Sequence, residues 1–116
     1  LRIWKNCSYS LASNLKSIPT DDPCRDERGG YMGDRVQVAK SEMYMYDVED
    51  FYSKYMLDAA ETQLPSGEIG YTAPSFWEYY HKSVTWPGAY IDFLHNLVEM
   101  YGRKDIAGLH YPKAKR

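Results

Sequence analysis

Residues 18 to 34 read IPTDDPCRDERGGYMGD, from Ile18 to Asp34. These seventeen residues hold five acids (Asp21, Asp22, Asp26, Glu27, Asp34), two arginines (Arg25, Arg28), two prolines and three glycines. A segment so polar and so often interrupted is not a core element. Pro19 and Pro23 fix φ near about −65° and bias Ile18 and Asp22 toward extended backbone. Gly29, Gly30 and Gly33 permit positive φ or close approach of another backbone. The expected result is a repeatedly bent loop that presents its side chains from one compact patch.

Carboxylates crowded into one patch repel each other, and in a cleft that crowding raises the pKa of at least one of them. Arg25 and Arg28 offset part of the charge by bidentate pairing. One protonated acid beside ionised neighbours is the arrangement that cleavage of glycosidic bonds requires. On spacing alone, the commoner reading of such a loop is a solvated acidic segment with local salt bridges and Asp34 capping a helix, because structural ion-pair networks also crowd charge.

Around this loop the chain is that of an ordinary globular domain, with 116 residues, 44% hydrophobic and 26% charged. Its net charge of −2, with acids and bases interspersed, leaves no basic footprint for nucleic acid and no polybasic strip for a membrane. No apolar stretch approaches the roughly 20 residues of a transmembrane helix, and no signal peptide is visible after Leu1. The chain is expected to begin inside a longer protein, and its compartment stays unknown. Cys7 and Cys24 lack metal-site spacing and read as free thiols, with one bridge left open. His81, His95 and His110 lack ligand spacing, and the acidic loop lacks the ligand order of an EF-hand, so no metal and no cofactor is expected. Twelve tyrosines are present, most of them assigned to helix packing.

Residues 1 to 17 fit a short opening helix or a strand end. After the loop, Val36, Ala39, Met43 and Tyr46 recur at helical spacing, giving a helix from about Arg35 to Tyr46 with Asp34 as N-cap. Asp47 is expected to cap the next helix, where Val48, Phe51, Tyr52, Tyr55, Met56 and Ala59 form one stripe and Glu49, Asp50, Lys54 and Asp58 face away. Leu64 to Pro74 reads as loop, followed by an irregular aromatic stretch, Phe76, Trp77, Tyr79 and Tyr80. A third helix opens near Thr85 with Pro87 in its first turn, carries Ile91, Leu94, Val98 and Tyr101 in register, and ends at Gly102. His110-Tyr111-Pro112-Lys113 reads as the opening of one more.

Pro19-Thr20-Asp21, Pro23, Arg25-Asp26-Glu27-Arg28, Gly30 and Gly33-Asp34 resemble the signature of the bacterial-type α-L-rhamnosidases, glycoside hydrolase family 78, PTDCPQRDERLGWTGD, at eleven of sixteen positions. Asp22, Cys24, Gly29, Tyr31 and Met32 depart from it, Tyr31 standing where the family has a tryptophan that lines the sugar site. Weaker likeness continues through Trp86 and Tyr101-Gly102 to the last residue. The resemblance reverses the odds against the solvated-loop reading. It implies an all-α fold, part of an (α/α)6 barrel of the six-hairpin type, of which residues 1–116 supply three to four helices with long loops as a fragment of one catalytic domain. It implies inverting hydrolysis of terminal α-L-rhamnose from a rhamnose-containing glycoside or polysaccharide, with Glu27 as general acid. Asp21, Arg25 and Asp34 would bind the rhamnose hydroxyls, with Asp22 either sharing that role or facing water, and Tyr31 and Trp86 would lie against the ring's apolar face. The family's general base lies beyond the equivalent of Arg116, so the chain alone is expected to be inactive without the remainder of the domain. Apolar stripes at Val48, Phe51 and Tyr55 and at Ile91, Leu94 and Val98 are expected to be left uncovered and the isolated chain loosely packed. The alternative is a non-catalytic helical remnant that binds sugar or a partner.

Overall fold

The computed structural model describes residues 1–25, 27–77, 80 and 83–116, with Pro23 described by its backbone alone. Asp26, Tyr79 and His81, singled out above, lie outside the described residues. Among those described there are five α-helices and a short 3-10 turn: α1 (Arg2–Ser13), the turn Pro23–Arg25, α2 (Met32–Met45), α3 (Glu49–Glu61), α4 (Thr85–Tyr101) and α5 (Lys104–Ala114). No strand occurs among the described residues, and sheet-like pairing is confined to the isolated bridges Leu15↔Pro19 and Tyr31↔Thr72. The all-α expectation holds, with α1 and a complete α5 adding to the helices foreseen. No helix among the described residues is long and apolar enough to cross a membrane.

Three helix starts differ from the sequence reading, each for a local reason. Helix α2 begins at Met32 with Tyr31 as N-cap, so Asp34 sits in the first turn and faces the positive end of the helix dipole rather than capping it. Val48, not Asp47, is the N-cap of α3, and Glu49 and Asp50 supply the negative charge to that first turn. Helix α5 opens at Lys104 behind Gly102, which takes φ 72 at the end of α4. Pro112 lies in its last turn instead of its first. That left-handed residue reverses the chain within two positions and makes α4 and α5 a tight helical hairpin.

Helix α4 is the centre of the packing and touches α2, α3 and α5. Its buried face is Ala89, Tyr90, Phe93, Leu94 and Leu97. The stripe expected to be left uncovered is covered in part: Leu94 is buried, whereas Ile91 is 48% exposed and lines with Val98 an apolar groove beside α5, along with Ala107 and Tyr111. The α3 stripe is not left uncovered. Val48, Tyr52, Tyr55, Met56 and Ala59 are all buried, and Phe93 packs against Tyr52 and Tyr55 at 5.2 and 5.7 Å between ring centroids. Each such large side chain contributes roughly 1.5–3 kcal/mol on burial. At the other edge of the core the Tyr90 hydroxyl lies 2.6 Å from Nδ1 of buried His110.

The inward face of α2 carries charge. Arg35 and Glu42 stand two helical turns apart, are both buried, and form an ion pair, and Glu42 also accepts a hydrogen bond from the Tyr52 hydroxyl of α3. Burial pushes the Glu42 carboxyl up, against the opposing pull of Tyr52 and Arg35. A buried pair contributes little net stability when intact, but breaking it leaves one charge without a partner. Glu42→Leu is therefore expected to destabilise the fold by about 3–5 kcal/mol, measured by urea unfolding, and adding Arg35→Met to it should recover part of the loss. A Glu42→Leu chain as stable as the parent would show that Glu42, with its contacts to Arg35 and to Tyr52 of α3, does not hold the fold together.

Candidate functional site

The acidic loop is closed by its own backbone. The Asp21 N–H donates to the Gly29 carbonyl at 3.1 Å, and the Gly29 N–H donates back to Asp21 Oδ1 at 2.9 Å. Just ahead of it, the Thr20 N–H is held by the Asn14 carbonyl at 2.9 Å, which fixes the loop to the end of α1. Among the described residues of this ring the left-handed backbone falls on Arg28, at φ 44, rather than on a glycine. Such a conformation costs a non-glycine residue roughly 1–2 kcal/mol, and the two reciprocal hydrogen bonds hold it. Inside the ring, Asp22 accepts from the Cys24 N–H at 2.8 Å and from Arg25 Nε at 3.0 Å. That fastens the turn Pro23–Arg25 and lowers the Asp22 carboxyl, chiefly through the Cys24 N–H. Arg25 reaches on to Glu27 at 3.5 Å. Cys24, like Cys7, is free and exposed.

The second half of the motif is clamped to the loop that leads toward α4. The Met32 N–H donates to the Tyr71 carbonyl and the Ala73 N–H to the Gly30 carbonyl, both at 3.0 Å, and the buried Tyr55 hydroxyl also donates to the Gly30 carbonyl, at 2.6 Å. The approach is so close that a Cβ on Gly30 would lie 2.2 Å from the Ala73 oxygen. Gly33 has a comparable task, since a Cβ there would lie 2.4 Å from the Trp86 indole. A bare backbone at Gly33 is thus the seat of the Trp86 ring. Tyr71 flanks that ring at a centroid distance of 6.4 Å.

These constraints surround a cleft of about 610 Å³ lined by Asp21, Asp22, Arg25, Glu27, Tyr31, Asp34, Tyr71, Ser83 and Trp86. The structure brings all six candidate residues, Asp21, Arg25, Glu27, Tyr31, Asp34 and Trp86, to one cavity, although Trp86 is more than fifty residues from the loop. Tyr71 and Ser83 were not anticipated. Their signal was weak: Tyr71 lies in a Gly/Pro-rich stretch read as connecting loop, and nothing local in the sequence shows that its backbone pairs with Met32. Asp22 lines the cleft too, with both carboxylate oxygens engaged by its own turn.

Electrostatically the cleft centres on the Asp21 and Glu27 carboxyls, which lie within hydrogen-bonding reach of each other. Asp21 is lifted above its ordinary value by burial first and then by the hydrogen bond and charge of Glu27, against the pull of the Gly29 N–H. The cleft thus offers an Asp21 carboxyl raised above its ordinary value beside Glu27, a cation at Arg25, an exposed carboxylate at Asp34 and aromatic faces from Tyr31, Tyr71 and Trp86. This is the equipment for holding a polyhydroxylated ring by its hydroxyls and its apolar face.

Comparison with known proteins agrees with this geometry. Residues 2–116 match the family model of the bacterial alpha-L-rhamnosidase 6 hairpin glycosidase domain. An alpha-L-rhamnosidase of Alteromonas sp. (strain LOR) is 32% identical over 98% of this chain, and one from Streptomyces avermitilis is 27% identical over 90% of it. The solved structure of an alpha-L-rhamnosidase from Dictyoglumus thermophilum superposes with a TM-score of 0.90 at 37% identity over 95% of the chain. The chain spans 12% of the length of the Alteromonas protein and 12% of the Dictyoglumus chain.

Two outcomes follow from the packing and the charge. In Gly33→Ala the added methyl meets the indole ring. Better helix propensity offsets up to about 1 kcal/mol, against an overpacking cost of about 1–3 kcal/mol. A net loss of stability is expected, and the Trp86 indole N–H resonance should move; an unmoved resonance would mean that the ring does not rest on Gly33. Asp21 should titrate above 3.8 by carboxyl NMR. Because its folded value is raised, its protonated form adds stability that is fully present below the unfolded pKa and is lost as pH rises through the folded value. Glu27→Gln should reduce the upward shift without abolishing it, since burial is the larger cause.

Proposed function

The chain belongs to the bacterial α-L-rhamnosidase six-hairpin glycosidase family, and on that premise we propose that it forms the acid-bearing part of a catalytic domain that removes terminal α-L-rhamnose from glycosides with inversion. The observation that carries the reading is the convergence of the motif's acids, Arg25, Tyr31 and the distant Trp86 on a single cleft.

In this reading Glu27 is the general acid. It delivers its proton to the glycosidic oxygen as the bond from that oxygen to the anomeric carbon breaks. A water adds to the anomeric carbon from the opposite face and gives its proton to a carboxylate outside these 116 residues, about 6.5–9.5 Å from the acid. Asp21, hydrogen-bonded to the Gly29 backbone, stands beside the acid and lines the same cleft. Arg25 and Asp34 receive the rhamnose hydroxyls together with Asp21. Tyr31 and Trp86 take the apolar face of the ring, the indole being held in place by its seat on Gly33. The substrate is a rhamnose-containing glycoside or polysaccharide, and no cofactor takes part.

With the base supplied from elsewhere, the isolated chain is expected not to turn over aryl α-L-rhamnosides. Within a complete six-hairpin domain carrying this chain, Glu27→Gln keeps the shape of the side chain and removes the proton. Turnover of a rhamnosyl disaccharide should fall by about 10²- to 10⁴-fold, whereas α-L-rhamnosyl fluoride, whose leaving group needs no proton, should be much less affected. Equal and small losses on both substrates would remove Glu27 from the role. Turnover by the isolated chain, abolished by the same substitution, would mean that the base lies within it.

A further inference from the structure

Glu27 and Tyr31 line two cavities. One is the cleft described above. The other, of about 490 Å³, is bounded by Ile18, Glu27, Arg28, Gly29, Gly30, Tyr31, Thr72, Pro74, Phe76 and Trp77. Its outer part is an aromatic corner. Phe76 is 84% exposed and Trp77 63%, and their rings meet at right angles, with centroids 4.9 Å apart. Exposed aromatics of that size on a loop are costly to leave in water unless they receive something. This pair is also not free to wander. The loop that carries it is tied to the motif at Ala73–Gly30 and Met32–Tyr71, and the Ser75 hydroxyl donates to the Trp77 carbonyl at 2.7 Å.

We propose that this second cavity is the site for the leaving group and that Phe76 and Trp77 form a platform selecting aglycones with a flat aryl face. The inference rests on Glu27 being the general acid. A proton donor must stand beside the oxygen that joins the two halves of the substrate, so the side chain shared by two cavities marks the scissile bond, with the sugar in one and the leaving group in the other. The cleft holding Asp21, Arg25 and Asp34 is polar and suits the sugar. Beyond Glu27 itself, the hydrogen-bonding side chains that line the second cavity include Arg28, Tyr31 and Thr72, none of them a second carboxylate. It does provide one broad indole face, a second ring set edge-on and the cationic plane of Arg28, which suits a planar aromatic better than another sugar. Trp77 and Phe76 are specificity-determining residues in this scheme, not catalytic ones.

The test uses a complete six-hairpin domain carrying this chain and three substrates: 4-methylumbelliferyl α-L-rhamnoside, a rhamnosyl-glucose disaccharide, and α-L-rhamnosyl fluoride, which has no aglycone to bind. Trp77→Ala should lower kcat/KM on the umbelliferyl substrate by about three- to tenfold relative to the fluoride, mainly through KM, and Trp77→Phe should restore most of the ratio. An unchanged ratio would overturn the platform, including the case in which all three substrates lose equally because the loop has lost its packing. A selective loss on the disaccharide would overturn the aryl assignment and identify the platform as a sugar subsite. Failure of the underlying acid assignment reads out separately, as retention of disaccharide turnover in Glu27→Gln whatever Trp77 does.

Discussion

The cleft depends on the close passage of two backbones at Gly30 and Ala73. The Ala73 oxygen lies where a Cβ of Gly30 would have to be, and around that point the Met32 and Ala73 N–H groups each find a carbonyl across the gap. One short bridge thereby joins the acidic loop, the start of α2 and the segment that leads to α4. A larger residue at Gly30 would separate them, and with them the carboxyl pair from the aromatic wall. The Tyr55 hydroxyl adds a second hydrogen bond to the Gly30 carbonyl from the middle of the core. The loop is therefore referenced to α3 as well as to its neighbours in the chain.

Beneath this bridge the core is held by a device that apolar packing alone would not supply. Arg35 and Glu42 face inward from α2 and meet Tyr52 of α3, one turn from Tyr55. Hydrophobic contacts are tolerant of small sliding movements, whereas an ion pair with a shared hydroxyl is not. Placing it on the helix that starts at the site restricts how α2 can shift along α3, and any such shift would move Gly33, and the indole seated on it, with respect to the loop.

The sequence was legible where its signal is local. The Thr85 start and Gly102 end of α4, the α3 stripe from Val48 to Ala59 and the bent, acidic character of residues 18 to 34 follow from spacing and from the chemistry of proline and glycine. What escaped was set by distant neighbours. The burial of Arg35 and Glu42 was not anticipated, because nothing within a few residues shows Tyr52 opposite them. The Ile91, Leu94 and Val98 stripe of α4 was expected to be uncovered as a whole, yet Leu94 is buried, because an apolar stripe does not say which flank its partner covers. In the loop, the glycines read as permitting positive φ or close approach without deciding between them: Gly30 and Gly33 admit the Ala73 carbonyl and the Trp86 ring, and the positive φ falls on Arg28. The candidate residues came from a resemblance to a family signature. Spacing alone had favoured a solvated loop, and Tyr71, contributed through its own backbone pairing, carried no mark in the sequence.

The two closures of the loop divide its labour. Asp21 and Gly29 seal the ring by bonds that lie wholly within nine residues, so the relation of the Asp21 carboxyl to Glu27 is set locally and survives movement of the surrounding helices. The relation of that pair to Tyr31, Tyr71 and Trp86 is set by the bridge at Gly30 and by the seat at Gly33, both of which depend on helix packing. Proton affinity at Asp21 is therefore set by the burial that the fold provides and by the neighbouring Glu27 and Gly29 of the loop, whereas placement of a ligand is a property of the fold. In the glycosidase reading, a further carboxylate must approach to a fixed separation from Glu27, and only the second kind of constraint can provide it. The two helices that begin at the site, α2 and α4, also pack on one another, and their contact carries the indole wall to the acidic loop.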